Sequence, residues 1–291
     1  MRIAVHGKEF NRQSAPLIVR VFEILIKSGS EIFVSSRFSQ YLKSGAFKTM
    51  AFNTYEAHDK PENIDFFISI GGDGTLLDVV THIGSFQTPV LGINTGRLGF
   101  LATISKEECE QAIELVLKGA YRLDKRAVLK LESNAAIFNS MNFALNDFTV
   151  VKKDTSSMIT IHTYINGEFL NSYWADGIIV ATPTGSTGYS LSCGGPLIFP
   201  RSGNFVITPV SPHNLTVRPI IVSDSSVISF QIEGRSKRFL VSLDSRIASV
   251  DSSVQLTVKK ADFTVNLIQL EGQHYFKTLR QKLNWGLDIR N

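Results

Sequence analysis

Cysteine is nearly absent from this chain. Its 291 residues include two cysteines, Cys109 and Cys193, far apart and without a CxxC spacing. A disulfide framework is therefore not expected, and a reduced, cytoplasmic protein is the default expectation. The six histidines are dispersed, with neither HxH nor HxxxH spacing, which argues against a zinc site.

Long apolar runs and clusters of basic charge are also missing. No segment approaches the length of a bilayer-spanning helix, and the opening MRIAVHGKEF lacks the apolar region of a signal peptide. The 30 basic and 26 acidic residues give a net charge of +4, and the bases are scattered. We therefore expect no nucleic-acid and no membrane partner, whereas small anionic molecules are compatible with the charge.

Apolar strands alternate with helices over the first part of the chain. Strands are predicted at 2–7, 31–36, 64–70 and 89–94, and helices at 13–29 and 106–118. Strands that are apolar throughout indicate a parallel sheet covered on both faces. The pattern predicts a Rossmann-like α/β domain with a mostly parallel sheet over residues 1–120.

From about residue 126 onward, predicted strands follow one another with few helices. Among these runs, 142–151, 253–260 and 263–270 are each predicted as one strand, and Asn166-Gly167 predicts a tight hairpin because both residues tolerate positive φ. The even spacing predicts an antiparallel β-rich, sandwich-like domain over 121–270. The remaining 271–291 is predicted to form a C-terminal helix that returns to the first domain.

The stretch FFISIGGDGTLLDVV, residues 66–80, places one carboxylate among three glycines where an apolar strand ends. Glycines followed by a helix start allow a phosphate to approach the backbone. The stretch is not a GxGxxG fingerprint, since the residue three beyond Gly74 is Leu77. It is not a P-loop either, because no lysine follows the glycines. Asp73 would repel phosphate, so it favours binding of a divalent cation or acceptance of a proton from a hydroxyl being phosphorylated. A simple Asp-Gly turn is the alternative.

A second block, DGIIVATPTGSTGYSLSCGGP at 176–196, is dense in glycine, serine and threonine. Such a block offers a ligand many backbone amides and hydroxyl groups with little steric bulk. A serine-rich loop between two strands is the alternative. Tyr189 in its middle is a candidate for stacking or hydrogen bonding, whereas Trp174 and Trp285 are expected to be packing residues.

The motifs together resemble the NAD kinase family. The resemblance rests on GGDGTLL at 71–77, GINTGRLGFL at 92–101, ALNDF at 144–148 and the 176–196 block, and it continues through PHNLTVRPIIV and YFKTLRQKLNW. It implies transfer of the γ-phosphoryl group of ATP to the 2′-hydroxyl of the adenosine ribose of NAD, which yields NADP. It also implies a divalent cation, with Mg²⁺ the first choice, and a homo-oligomer (dimer or tetramer).

The resemblance also implies roles for individual residues. Asp73 would orient or deprotonate the 2′-hydroxyl, Asn146 would bind the adenine part of NAD, and Asp176 would lie near its nicotinamide end. No metal ligand is assigned. The nucleotide-binding residues that it implies are Gly72, Gly74, Thr75, Asn146, Asp147, Asp176, Thr187, Gly188, Tyr189, Ser190, Ser192 and Arg246.

Two positions depart from the family pattern. Asp147 stands where the family usually has glutamate, so its shorter carboxylate is less suited to reach an adenine amino group. Arg246 stands where relatives often have glutamine, and it could meet a phosphate or form a salt bridge with Asp244. Asp78 could line the donor side of the glycine loop or cap the following helix.

Other functions remain open at this point. The GGDGT loop also resembles lipid kinases of the diacylglycerol or sphingosine type and, more remotely, phosphofructokinases. A non-catalytic module that senses NAD(H) is a rival of another class. A dehydrogenase is disfavoured because the dinucleotide fingerprint is missing. The sequence leaves open whether the donor is ATP, another nucleoside triphosphate or polyphosphate, and whether NADH is an acceptor.

Overall fold

The structure, a computed structural model, describes residues 1–43, 45–57, 59, 61–96, 98–153, 158–235 and 238–286. The chain divides into two compact units. Unit 1 comprises Met1–Lys125 and Val265–Asn291, and unit 2 comprises Arg126–Thr264. The domain limits at 1–120, 121–270 and 271–291 stay a prediction.

Strands and helices are numbered here in chain order. The strands are β1 (Arg2–Gly7), β2 (Glu31–Ser35), β3 (Asn53–Tyr55), β4 (Phe66–Ile70), β5 (Val90–Ile93), β6 (Arg122–Ser133), β7 (Phe143–Ala144), β8 (Asp147–Lys152), β9 (Ile159–Ile165), β10 (Glu168–Ala175), β11 (Gly177–Ala181), β12 (Asn204–Val210), β13 (Ile220–Ser223), β14 (Ile228–Gly234), β15 (Arg238–Leu243), β16 (Arg246–Asp251) and β17 (Leu256–Gln269). The helices are α1 (Ala15–Lys27), α2 (Ser36–Ser39), α3 (Asp73–Ile83), α4 (Cys109–Leu117), α5 (Tyr189–Ser192) and α6 (Tyr275–Leu283). No helix within the described ranges is long and apolar enough to cross a membrane.

Unit 1 contains a parallel sheet in the order β5-β4-β1-β2-β3. Strands β4 and β5 are buried along their whole length, as expected of a sheet covered on both faces. Helix α1 buries Ile18, Val21, Phe22 and Leu25 on one face, because these residues follow helical spacing. The predicted Rossmann-like α/β architecture is confirmed, with observed bounds within a few residues of the predicted ones.

The glycine loop connects the carboxyl end of β4 to the start of α3. Gly71 has a φ of +154°, and a Cβ at this residue would lie 2.2 Å from Thr75 Oγ1. Only glycine fits a position that combines this backbone conformation with such a close neighbour. The loop therefore delivers Asp73, the first residue of α3, to the strand-end edge of the sheet.

Unit 2 is built from antiparallel strands, which confirms the predicted β-rich architecture. One sheet has the order β13-β12-β11-β8-β15-β16, and a second contains β10, β9, β14 and the first part of β17. The two sheets share one apolar core, in which the rings of Phe148 and Phe230 stack at 5.5 Å. The predicted hairpin at Asn166-Gly167 joins β9 to β10, and both residues have positive φ (53° and 85°).

Three strand predictions are wrong. The predicted strands 253–260 and 263–270 fall on one long strand, β17, which covers Leu256–Gln269. Residues 142–151 form two strands, β7 and β8, rather than one. The interruption falls at Leu145 and Asn146 because their amides donate to the Asp244 carboxylate instead of to a neighbouring strand.

Candidate active site

Asp73 is held by the backbone of a distant segment of unit 1. Its Oδ2 accepts a hydrogen bond from the amide of Phe100 at 2.8 Å, and its Oδ1 accepts from the amides of Leu101 and Ala102, each at 3.0 Å. Three N–H donors stabilise the negative charge and fix the carboxylate's orientation. The structure thus joins GGDGT to NTGRLGFL, which the sequence presents as separate motifs.

Among the described residues, this arrangement leaves room for one more hydrogen bond to Asp73. A carboxylate offers about four lone-pair positions, and three are occupied by amides, two of them on Oδ1. The remaining position is on Oδ2. Gly99 makes the close approach possible, since a Cβ there would lie 1.9 Å from Asp73 Oδ1. The site can therefore accept a single hydroxyl at a fixed carboxylate oxygen.

The other predicted residues of the glycine loop differ in exposure. Gly72 and Gly74 are exposed, whereas Thr75 is buried with 4% of its surface accessible. A Cβ at Gly72 would meet nothing within 4 Å, so the backbone there faces open space. The structure therefore offers Gly72 and Gly74 to a ligand and uses the Thr75 side chain to fill the turn beneath Gly71.

Sequence reasoning missed Lys8, which lies against this loop. Its Nζ donates to the carbonyl of Gly74 at 3.2 Å and forms an ion pair with Asp78 Oδ2 at 2.8 Å. Asp78 is in the interior of α3, so the prediction that it could cap the helix is wrong. The only sequence signal was the position of Lys8 directly after the end of β1.

In unit 2, Asp244 organises the backbone around Asn146. The carboxylate of Asp244 accepts hydrogen bonds from the amides of Leu145 (2.9 Å), Asn146 (2.7 Å) and Asp147 (3.3 Å). Asp244 lies in the turn between β15 and β16, where it adopts a positive φ of 53°. It was considered from sequence only as a partner of Arg246.

Asn146 presents an unsatisfied hydrogen-bond acceptor. Its Oδ1 is buried and has no hydrogen-bond partner among the described residues. Leaving a buried polar atom unpaired costs about 1–3 kcal/mol, so a ligand N–H at this oxygen would be favourable. The adjacent loop approaches closely because Gly185 has no side chain, since a Cβ there would lie 2.0 Å from the Asn146 carbonyl oxygen.

Asp147 is a buried carboxyl group beside this acceptor. Thr149 Oγ1 donates to its Oδ1 at 3.3 Å. Burial, and secondarily the charge of Asp244, raises the pKa of Asp147 to about 7. Asp147 therefore changes charge near neutral pH, and we expect a measurable effect on stability.

Asp147→Asn is expected to stabilise the nucleotide-free protein at pH 8 by about 4 kcal/mol. The folded-state pKa lies above the unfolded value of 3.8, so the carboxyl group stabilises the fold at low pH and loses that contribution as pH rises through 7. Asparagine keeps the shape without the buried charge. Thermal melting at pH 8 and pH 5 checks this, and a gain that is equal at both pH values would contradict it.

Most hydroxyl groups of the 176–196 block form hydrogen bonds within the protein, either inside the loop or to neighbouring strands. Ser186 donates to the Pro183 carbonyl at 2.7 Å, Thr187 donates to the Thr184 carbonyl at 3.0 Å, and Ser190 shares a hydrogen bond of 2.8 Å with Thr208. These bonds hold the loop in shape. The exposed side chains of the block are those of Tyr189, Ser192 and Pro196.

Three further predicted residues of unit 2 are Tyr189, Asp176 and Gly188. Burial and then Cys193 raise the pKa of the Tyr189 hydroxyl, with smaller contributions from Asp147 and Asp176. Asp176 Oδ1 forms an ion pair with Lys152 at 2.6 Å. Gly188 lies beside Asn146, since a Cβ there would be 3.8 Å from Asn146 Nδ2.

Arg246 makes its contacts with other residues of unit 2. It lies 4.0 Å from Asp244 Oδ2, and it donates to the carbonyls of Met141 and Phe143. Of the two roles open from sequence, the structure contains the ion pair with Asp244.

Trp174 and Trp285, expected to be packing residues, are both partly exposed. Their exposed fractions are 45% and 55%. Trp174 lies at the end of β10 with its ring 4.5 Å from that of His213. It stands two residues before Asp176.

Comparisons with known proteins give one consistent answer. The family model described as ATP-NAD kinase N-terminal domain matches residues 3–121, and the ATP-NAD kinase C-terminal domain matches residues 145–270. The chain is 51% identical to an NAD kinase of Cytophaga hutchinsonii over 292 residues and 45% identical to one of Flavobacterium psychrophilum over 294 residues. Both alignments cover 100% of each chain.

Two solved structures are similar in fold. An NAD kinase from Archaeoglobus fulgidus, in complex with ATP, is 26% identical with a TM-score of 0.77, covering 97% of this chain and 99% of that one. A yeast NADH kinase complexed with NADH is 23% identical with a TM-score of 0.88, covering 100% of this chain and 89% of that one. The second likeness concerns the fold alone.

Proposed function

The chain belongs to the NAD kinase family, whose members transfer the γ-phosphoryl group of ATP to the 2′-hydroxyl of the adenosine ribose of NAD, and we propose how its residues share this reaction. It is a phosphotransferase. The proposal concerns the roles of Asp73, Asn146 and the residues around them.

Asp73 is the residue that we assign to the 2′-hydroxyl. A ribose hydroxyl is a far weaker acid than a carboxylic acid. Asp73 would therefore fix the hydroxyl in line with the donor phosphate and take its proton late in the reaction. The observation that carries this assignment is the single free acceptor position on Oδ2, left by three amide hydrogen bonds.

Asn146 is the residue that we assign to the adenine ring of NAD. Its buried Oδ1 needs a donor, and an exocyclic amino group is such a donor. Tyr189, which is 44% exposed, is available for stacking on a planar ring. Asp147, Asp176, Thr187, Gly188, Ser190 and Ser192 would shape this binding surface, either directly or by holding the loop.

A divalent cation, Mg²⁺, is part of the proposed reaction. Within the described residues, no group of three or more His, Cys, Asp or Glu side chains is arranged to hold a metal ion. Mg²⁺ at a nucleotide usually takes its ligands from phosphate oxygens and water, with one or two carboxylates. Such an ion would supply charge neutralisation on the transferred phosphoryl group. We also propose a cytoplasmic homo-oligomer, whose size sedimentation velocity would give.

The test is formation of NADP from NAD, ATP and Mg²⁺ by the purified protein, detected with an NADP-specific dehydrogenase. We expect NADP formation that stops when EDTA removes the divalent cation and returns when Mg²⁺ is restored in excess. NAD binding without NADP formation from ATP, other nucleoside triphosphates or polyphosphate would overturn the proposal and favour an NAD(H)-sensing module.

A further inference from the structure

Lys8 lies over the glycine loop although the two are 66 residues apart. Its Nζ is 3.2 Å from the Gly74 carbonyl oxygen and would be 3.9 Å from a Cβ placed on Gly74. Its side chain is 41% exposed. An ammonium group therefore stands at the accessible side of the glycine loop, where Gly72 and Gly74 are exposed.

Sheet topology explains why Lys8 reaches this position. Strands β1 and β4 are parallel neighbours, and Gly7 pairs with Ile70 in their register. The next residue of each strand leaves the sheet at the same edge, so Lys8 emerges beside Gly71. A P-loop places its lysine after the glycines of the same loop, whereas this chain brings one from the adjacent strand.

The ammonium group keeps at least one hydrogen-bond donor unused among the described residues. A lysine offers three N–H donors; one donates to the Gly74 carbonyl at 3.2 Å, and the ammonium group also forms an ion pair with Asp78 Oδ2 at 2.8 Å. Asp78 belongs to α3, and 20% of its side chain is exposed. The ion pair therefore fixes the position of the Lys8 ammonium group relative to α3. An N–H donor therefore remains for an oxygen atom of a ligand.

The positive charge of the Lys8 ammonium group favours a phosphate as the ligand of this free donor. Two carboxylates, Asp73 and Asp78, lie within the first turns of α3, where a polyphosphate must approach. Exposed amides and the helix N-terminus provide only partial charges. A full positive charge at the loop offsets the carboxylates and shortens hydrogen bonds to phosphate oxygens.

We propose that Lys8 binds the terminal phosphate of the phosphoryl donor and positions it for transfer, with Asp78 orienting the Lys8 ammonium group. This inference rests on the proposed function. The bond from the γ-phosphorus to ADP breaks and the bond to the 2′-oxygen forms. Lys8 contributes charge and a hydrogen bond and exchanges no proton. The competing explanation is that Lys8 only ties the loop to α3.

Steady-state kinetics separate the two explanations. Lys8→Met is expected to lower kcat/KM for ATP by about 10- to 100-fold, while KM for NAD stays within about twofold. Asp78→Asn breaks the same ion pair but leaves the ammonium group on Gly74, so its fall should be clearly smaller. Lys106→Met removes a charge from a side chain that is 69% exposed and should behave as wild type.

Equal losses in Lys8→Met and Asp78→Asn, or an unchanged KM and kcat for ATP in Lys8→Met, would overturn the inference. Failure of the wild type to form NADP would instead overturn the proposed function, so the two failures are distinguishable.

A second measurement uses the wild-type protein and does not depend on the folding of a variant. Lys8 is accessible enough to be acetylated by a mild reagent, and mass spectrometry reports the extent at each lysine. We expect ATP to protect Lys8 several-fold while NAD alone does not, and Lys106 to be modified equally in all conditions. Equal acetylation of Lys8 with and without saturating ATP would count against the contact.

Discussion

Asp73→Asn is expected to lower kcat for NADP formation by about 1,000-fold, within the range of a lost acid–base group, while the dissociation constant of NAD changes by less than about threefold. The hydroxyl then loses its negatively charged acceptor at the moment its proton must leave. NAD affinity is retained because the residues assigned to the adenine ring belong to unit 2.

The three amide hydrogen bonds to Asp73 mean that Asp73→Asn should also lose stability. Asparagine has one acceptor oxygen, and its NH₂ group would face a backbone amide of Phe100 or of Leu101 and Ala102, which now donate to a carboxylate. The variant should therefore also melt at a lower temperature. Measuring kcat well below both melting temperatures keeps the chemical effect separate from unfolding.

The controls for this experiment come from the same chain. Asp262→Asn makes the same chemical change at an exposed residue of unit 2 and should leave kcat unaltered. Isothermal titration with NAD shows whether Asp73→Asn still binds its substrate. Near-normal turnover in a folded Asp73→Asn protein would show that Asp73 neither orients nor deprotonates the hydroxyl.

Acid is expected to destabilise unit 1 through a buried histidine. His6 in β1 is 1% exposed, and its Nδ1 lies 2.7 Å from Ser35 Oγ. Its ring meets that of His82 edge-on at 4.6 Å. Burial, followed by the charges of His82, Lys8 and Arg37, lowers the pKa of His6 from 6.5 to about 3.

The sign of the pH effect follows from the two pKa values. Between pH 6.5 and about 3 the unfolded chain binds a proton at residue 6 and the folded chain does not. The free energy of unfolding therefore falls by about 1.4 kcal/mol for each pH unit below 6.5. From pH 6.5 to 4.5 the loss from His6 alone is about 2.7 kcal/mol.

Urea unfolding of the wild type and of His6→Asn across this pH range measures the effect. Asparagine can keep the hydrogen bond to Ser35 but does not titrate, so its stability should depend less steeply on pH. The variant is expected to be less stable at pH 7.5, because a smaller side chain leaves a cavity, and the difference should shrink toward pH 4.5. Parallel curves for the two proteins would rule out His6 as the source of the acid sensitivity.

The features that were predicted from sequence are those that depend on neighbouring residues. The turn at Gly71–Thr75 is a strand end, two glycines and a helix start, so its position was readable. The hairpin at Asn166-Gly167 follows from the positive φ that both residues tolerate. Parallel and antiparallel architecture followed from whether the strands are separated by helices.

The features that were missed depend on contacts between distant residues. Asp244 reaches across 98 residues to the amide of Asn146, and the break between β7 and β8 depends on that contact. Lys8 is brought to Gly74 by strand register. The hydroxyl density of the 176–196 block was visible, but not that Ser186 bonds to the Pro183 carbonyl and Ser190 to the Thr208 hydroxyl. The assigned roles of the site residues stay predictions.

The hydrogen bonds between Asp73 and residues 100–102 also limit how this protein can be recombined with its relatives. A chimera that receives 71–75 from one parent and 98–102 from another must match the carboxylate to its amides within tenths of an ångström. A single methyl group at Gly99 would collide with Asp73 Oδ1. Both segments must therefore come from the same parent, and crossovers that separate them should be rare among functional recombinants.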